Sequence, residues 1–163
     1  MTVWVDADSC PRQVRDIVLR ASKRTGFRAV FVANKKIPGI DGSGAEFILC
    51  AAGADVADDR IVEQARKGDL AITRDIPLAA RLVEAGVPVI NDRGIVYTAE
   101  NVRERLSVRN FMMELNMSGL NLERIWGYGP KEVKAFADGF DRELSSLMRQ
   151  ERTKAGEDRS KNY

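Results

Sequence analysis

The chain has 163 residues, 44% hydrophobic and 31% charged, with a formal net charge of +2. That is enough chain for one domain with a real core, and the near-neutral balance excludes a strong global field, so any basic surface that meets nucleic acid must be local. Histidine is absent, which excludes Ser-His-Asp and Cys-His nucleophile chemistry and histidine-ligated zinc.

In chain order, Thr2 to Val5 reads as a strand and runs into Asp6-Ala7-Asp8-Ser9-Cys10-Pro11. Pro11 suits the first turn of a helix, with Ser9 or Cys10 near its cap. Val14, Ile17, Val18 and Ala21 follow the spacing of a buried helical stripe that ends at Thr25-Gly26. Arg28 to Ala33 is a second strand, Asn34-Lys35-Lys36 follows it, and Pro38 to Gly44 make a loop. Glu46 to Cys50 is a third strand. Asp55 to Arg66 reads as a helix, Leu70 to Thr73 as a strand, Leu78 onward to Gly86 as a helix, and Val87 to Ile90 as a fifth strand. Ile95 to Tyr97 has room for a small extra strand. Thr98 caps a helix to about Asn116, and a connection bearing Trp126 and Tyr128 follows. Val133, Phe136, Ala137, Phe140, Leu144 and Leu147 then trace a long amphipathic stripe, which suits folding back on the sheet or pairing in a homodimer. The alternation predicts a three-layer α/β/α domain over residues 1–150 with a central, mostly parallel sheet and a helical C-terminal part. Residues 151–163 read as a charged, disordered tail.

The two cysteines, Cys10 and Cys50, form no CxxC pair and point to a reducing compartment. Both read as small packed residues, although the helix N-terminus beside Cys10 would lower a thiol pKa there. No apolar run reaches bilayer length, and Met1 leads straight into a strand, so no membrane partner and a cytoplasmic location are expected.

Parallel sheets gather function at the carboxyl ends of their strands. Those ends carry Asp6 and Asp8, then Asn34, Lys35 and Lys36, then Thr73, Arg74 and Asp75, then Asn91, Asp92 and Arg93. The second helix opens with Asp55, Asp58 and Asp59. On an extended chain Asp6 and Asp8 point the same way. Two carboxylates so placed repel, by roughly 4 kcal/mol at 4 Å and an effective dielectric near 20. Water, a shared proton or a bound cation would relieve that. An oxygen-rich cluster without histidine suits Mg²⁺ or Mn²⁺ and metal-assisted phosphodiester hydrolysis, with Arg12, Asn34, Lys35, Thr73 and Arg93 as candidate substrate contacts. Plainer roles exist for most of these residues. Asp58 and Asp59 suit a helix N-terminus, Asp75 suits a turn before Pro77, and Lys35-Lys36 suits a solvated loop.

Val3 to Pro11 (VWVDADSCP), Gly68 to Ala79 (GDLAITRDIPLA), Phe31 to Asn34, Arg93-Gly94 and Arg109 to Met112 together resemble the bacterial YaiI/YqxD family, over nearly the whole chain. That resemblance implies a PIN-like fold and a nuclease acting on nucleic acid, chiefly RNA. It also implies a metal set of Asp6, Asp58 and Asp75, with Asp8 as an additional catalytic carboxylate. Two other readings stand beside it. One is a haloacid-dehalogenase-like phosphatase, which also opens with Asp-x-Asp after a first strand. The other is a non-catalytic nucleic-acid-binding module.

Overall fold

The structure, a computed structural model, describes residues 1–117 and 127–160. Trp126 and most of the connection that carries it lie outside the described residues. The elements run β1 (Thr2–Asp6), α1 (Arg12–Thr25), β2 (Arg28–Ala33), β3 (Glu46–Leu49), α2 (Val56–Gln64), β4 (Leu70–Ile72), α3 (Ile76–Glu84), β5 (Val89–Ile90), β6 (Val96–Tyr97), α4 (Ala99–Met117) and α5 (Pro130–Ser160). The strands form one sheet in the order β3-β2-β1-β4-β5-β6, parallel except for the β5–β6 pair.

The sheet is apolar on both faces, as a parallel sheet under helices must be. Val3, Val5, Ala29, Phe31, Leu70 and Ile72 pack toward α1 and α5, while Trp4, Val30, Val32, Ala71 and Val89 pack toward α2, α3 and α4. The fold is a three-layer α/β/α sandwich. Its topology places the site. The chain leaves β1 toward β2 through α1 on one face, then crosses back from β3 to β4 through α2 on the other, and right-handed crossovers require that change of face. The direction therefore reverses between β1 and β4. A crevice opens there, outside the carboxyl ends of these two strands.

Several expected boundaries shift by one or two residues. Pro11 itself caps α1, its carbonyl accepting from the N–H groups of Val14 and Arg15, and no side chain caps that helix. Ser9 is thus free for another task. The stripe at Phe136, Phe140, Leu144 and Leu147 folds back under β1 and β2, with the Phe136 and Phe140 rings stacked at 5.5 Å. The segment from Arg149 onward, expected to fray, continues α5 as helix to Ser160. An ion pair helps hold it: the N-terminal ammonium meets Glu151 Oε1 at 2.8 Å. At the rim opposite the crevice, Asp69 accepts from Thr2 N–H at 2.8 Å and from the Trp4 indole N–H at 3.1 Å, fixing the start of β1 against β4.

One close approach stands out. Gly94 has φ +74°, and a methyl there would overlap the Ala135 carbonyl of α5. A methyl at Gly139 would in turn overlap the backbone of Gly94. The β5–β6 turn therefore lies directly on α5, which explains a glycine inside an otherwise apolar helical stripe. Gly139→Ala should destabilise the protein by about 1–3 kcal/mol in urea unfolding, through overpacking. Gly156→Ala, where an added methyl meets open space, should be neutral or stabilising by up to about 1 kcal/mol.

Candidate functional site

Asp6 ends β1 and is 4% exposed. A buried carboxylate needs donors, and the fold supplies two hydroxyls. Ser9 Oγ donates to Asp6 Oδ2 at 2.6 Å and Thr73 Oγ1 donates to the same oxygen at 2.7 Å. Each hydroxyl also accepts a backbone N–H, Ser9 from Arg74 at 3.3 Å and Thr73 from Asp75 at 2.9 Å. Those N–H groups occupy hydroxyl lone pairs and leave the hydroxyl protons aimed at Asp6. The β4–α3 turn is in this way tied to the end of β1. Asp6 Oδ1 accepts no hydrogen bond from the described residues. Burial pushes the Asp6 carboxyl up, the hydroxyls of Ser9 and Thr73 pull it down, and Asp75 and Asp8 push it up further.

Asp58 lies in the first turn of α2, as the sequence predicts. Its carboxyl is pushed up to about 6, first by burial, then by Asp6, Asp75 and Asp55. Asp75 caps α3, its Oδ1 accepting from Leu78 N–H at 2.9 Å. It therefore has a structural role and also acts on Asp6 and Asp58. Asp59 turns away, pairing with Arg81 of α3 at 2.7 Å.

Asp8 differs from Asp6 in its exposure. β1 ends at Asp6, the chain turns, and Asp8 is exposed, its Oδ2 accepting from Asn34 N–H at 2.6 Å. The extended conformation that the alternation argument assumes stops at the first carboxylate, while Asp8 still acts on Asp6 electrostatically. Asn34 gives its backbone N–H to Asp8, while its buried Oδ1 accepts nothing from the described residues. Thr73, 2% exposed, faces Asp6 rather than solvent. Arg12 is exposed and stands 3.8 Å from Asp16, and Lys35 is exposed. Arg93 bends toward the start of α5, donating to Gly127 O at 3.4 Å and lying over the Tyr128 ring at 5.8 Å. Cys10 is buried, and burial raises its thiol pKa rather than lowering it.

The sequence alone did not reveal the contacts of three residues that it placed near the rim or the first helix cap. Ser9 is one of the two hydroxyls on Asp6. Asp92 is 4% exposed and lies 3.2 Å from Arg74 Nε without hydrogen-bond alignment; burial pushes its carboxyl up while Arg74 and Arg93 pull it down. Arg74 thereby stands over a buried countercharge at the mouth of the crevice. Their position at strand ends places Ser9, Arg74 and Asp92 near the rim, but it does not give these partners.

A family model described as "Uncharacterized BCR, YaiI/YqxD family" matches residues 4–146. The chain belongs to the YaiI/YqxD family. It is 50% identical to the UPF0178 protein of Myxococcus xanthus over 151 residues, covering 93% of this chain and 99% of that one. It is 50% identical to the UPF0178 protein of Treponema pallidum over 149 residues, covering 91% and 84%. The UPF0178 protein of Syntrophobacter fumaroxidans is 43% identical over 149 residues, covering 91% and 97%. No solved structure matches the chain. Among the described residues, no helix is long and apolar enough to cross a membrane.

The raised Asp58 carboxyl has a signed consequence for this YaiI/YqxD family member. A folded value near 6 lies above the ordinary 3.8. The folded state then binds more protons than the unfolded state between these values, so stability falls as pH rises through that window. The Tm of the metal-free protein should therefore lose more between pH 4.5 and pH 7 than that of Asp58→Asn, read by calorimetry at fixed ionic strength.

Proposed function

We propose that this protein hydrolyses phosphodiester bonds in RNA at the crevice between β1 and β4, with Mg²⁺ or Mn²⁺ as cofactor. The observation that carries this reading is the mutual effect of Asp6, Asp75 and Asp58, which helps raise the Asp58 carboxyl to about 6. Carboxylates that repel across an open crevice are what a hard divalent cation relieves. The donor chemistry fits, since every candidate donor is oxygen. Among the described residues, no three acidic or sulfur side chains are grouped closely enough to enclose an ion by themselves. Mg²⁺ does not require that. It keeps several waters and takes one or two carboxylates plus substrate phosphate. Asp6, whose Oδ1 accepts nothing from the described residues, and Asp58 are the first candidates to hold it, and Asp75 completes the set implied by a PIN-like domain.

When bound, such a cation polarises the phosphoryl group and lowers the pKa of a water. The chain's own residues do the rest. Ser9 and Thr73 hold Asp6 in one orientation and satisfy one of its oxygens. Asp58, whose carboxyl stands near 6 without a cation, would be held ionised by the cation it helps to bind. Asp8, held against Asn34 N–H, keeps the turn after β1 in place.

The test is cleavage of a labelled single-stranded RNA with Mn²⁺ or Mg²⁺. Cleavage should vanish with chelator and fall at least ~100-fold in Asp6→Asn and in Asp75→Asn, since even outer partners of metal ligands cost about 10–100-fold. Asn remains a good helix cap at position 75, so the second variant should keep its fold. Cleavage that survives both substitutions would remove this assignment.

A further inference from the structure

A groove starts at Ser9 and Asp75 and continues past Arg74 and Ile76 to the β5–β6 turn and the flank of α4. Arg109 lines its first part, Arg93 and Arg105 its second, and Arg74 both. Arg105 and Arg109 are half-buried and four residues apart, on one face of α4. Like charges at that spacing destabilise a helix unless something anionic lies against them. Among the described residues neither has a carboxylate partner; Arg105 lies over the Tyr97 ring at 5.8 Å. The carboxylate beneath Arg74 is the buried Asp92, and the one beside Arg93 is Glu132 at 3.9 Å. The groove thus carries a row of guanidinium groups that leads to an acidic rim.

A single small anion would need only one or two of these cations. A row along an open groove calls for a ligand with repeated negative charge, and guanidinium is the side chain best shaped to take phosphate oxygens in pairs. Ile76 and the partly exposed Ile95 give the same groove an apolar surface, which suits unpaired bases better than a closed duplex. We propose that this groove is the track for the phosphate backbone of single-stranded RNA, with Arg74, Arg105 and Arg109 meeting phosphates on the way to Asp6. The proposal rests on the reading above for its choice of ligand, but it concerns binding and can be tested without cleavage.

The experiment is fluorescence anisotropy with a labelled single-stranded RNA 20-mer in chelator, at several salt concentrations. Wild-type protein should bind the RNA under these conditions. Arg105→Glu/Arg109→Glu should bind at least tenfold more weakly. Arg20→Glu/Arg142→Glu, an equal charge change on α1 and α5 across the sheet, should stay within twofold of wild type. Arg105→Gln/Arg109→Gln should lower the slope of log affinity against log salt by about 1.4, the share of two phosphate contacts on a single strand. Equal losses in the two charge-reversed pairs, an unchanged slope, or equal displacement of RNA by polyglutamate at matched charge would overturn the proposal. RNA binding at this groove without any cleavage would reject the nuclease reading and leave the track standing. Cleavage undiminished in Arg105→Glu/Arg109→Glu would do the reverse.

Discussion

The arrangement depends on one buried charge. Asp6 is placed at the end of a central strand, where the sheet reverses direction, and is almost fully removed from water. A carboxylate in that position costs several kcal/mol unless donors replace its water. Ser9 and Thr73 supply them, and each is oriented by a backbone N–H of the β4–α3 turn. Asp6 is thereby the link that fixes the turn after β1 to the turn after β4. The same link fixes Asp75, which caps α3, and brings α3 into register with Asp58 on α2 through the Asp59–Arg81 pair.

Much of this was legible in the sequence because the strands carry near-continuous apolar runs and the helices a clear stripe. Thr2 to Val5, Arg28 to Ala33 and Leu70 to Ile72 fall where the pattern places them, and the rim follows from parallel topology. Three things were not legible, each for a physical reason. The place where β1 stops puts Asp8 in an exposed turn while Asp6 stays buried, and strand ends are set by local turns rather than by periodicity. The role of Ser9 depends on Pro11 capping α1 through its carbonyl, which leaves the serine hydroxyl to Asp6. The far end of α5 meets the N-terminus through Met1 and Glu151, 150 residues apart in sequence, a contact that local pattern does not show. The close approach of Gly94 and Gly139 had one visible trace, a glycine beside Phe140 in an apolar helical stripe.

The charge distribution is as informative as the carboxylates. A net charge of +2 conceals a separation. Acidic groups collect at the ends of β1 and β4 and the start of α2, while arginines from the β4–α3 turn, the β5–β6 turn and α4 line the groove that leads there. Asp92 connects the two regions. It is buried, and its attraction to Arg74 holds a cation at the boundary. An acidic rim at the end of a basic groove is the polarity that the proposed RNA track and cation require.

The most direct measurement of the central claim is the side-chain carboxyl titration of Asp58 by carbon-detected NMR, in wild type and in Asp6→Asn, without divalent metal. If Asp6, Asp58 and Asp75 act as one electrostatic unit, Asp58 titrates near 6 in the wild type and moves clearly toward the ordinary carboxylate range when Asp6 loses its charge. An Asp58 that titrates in the ordinary range, or one whose midpoint ignores the Asp6 substitution, would contradict the account.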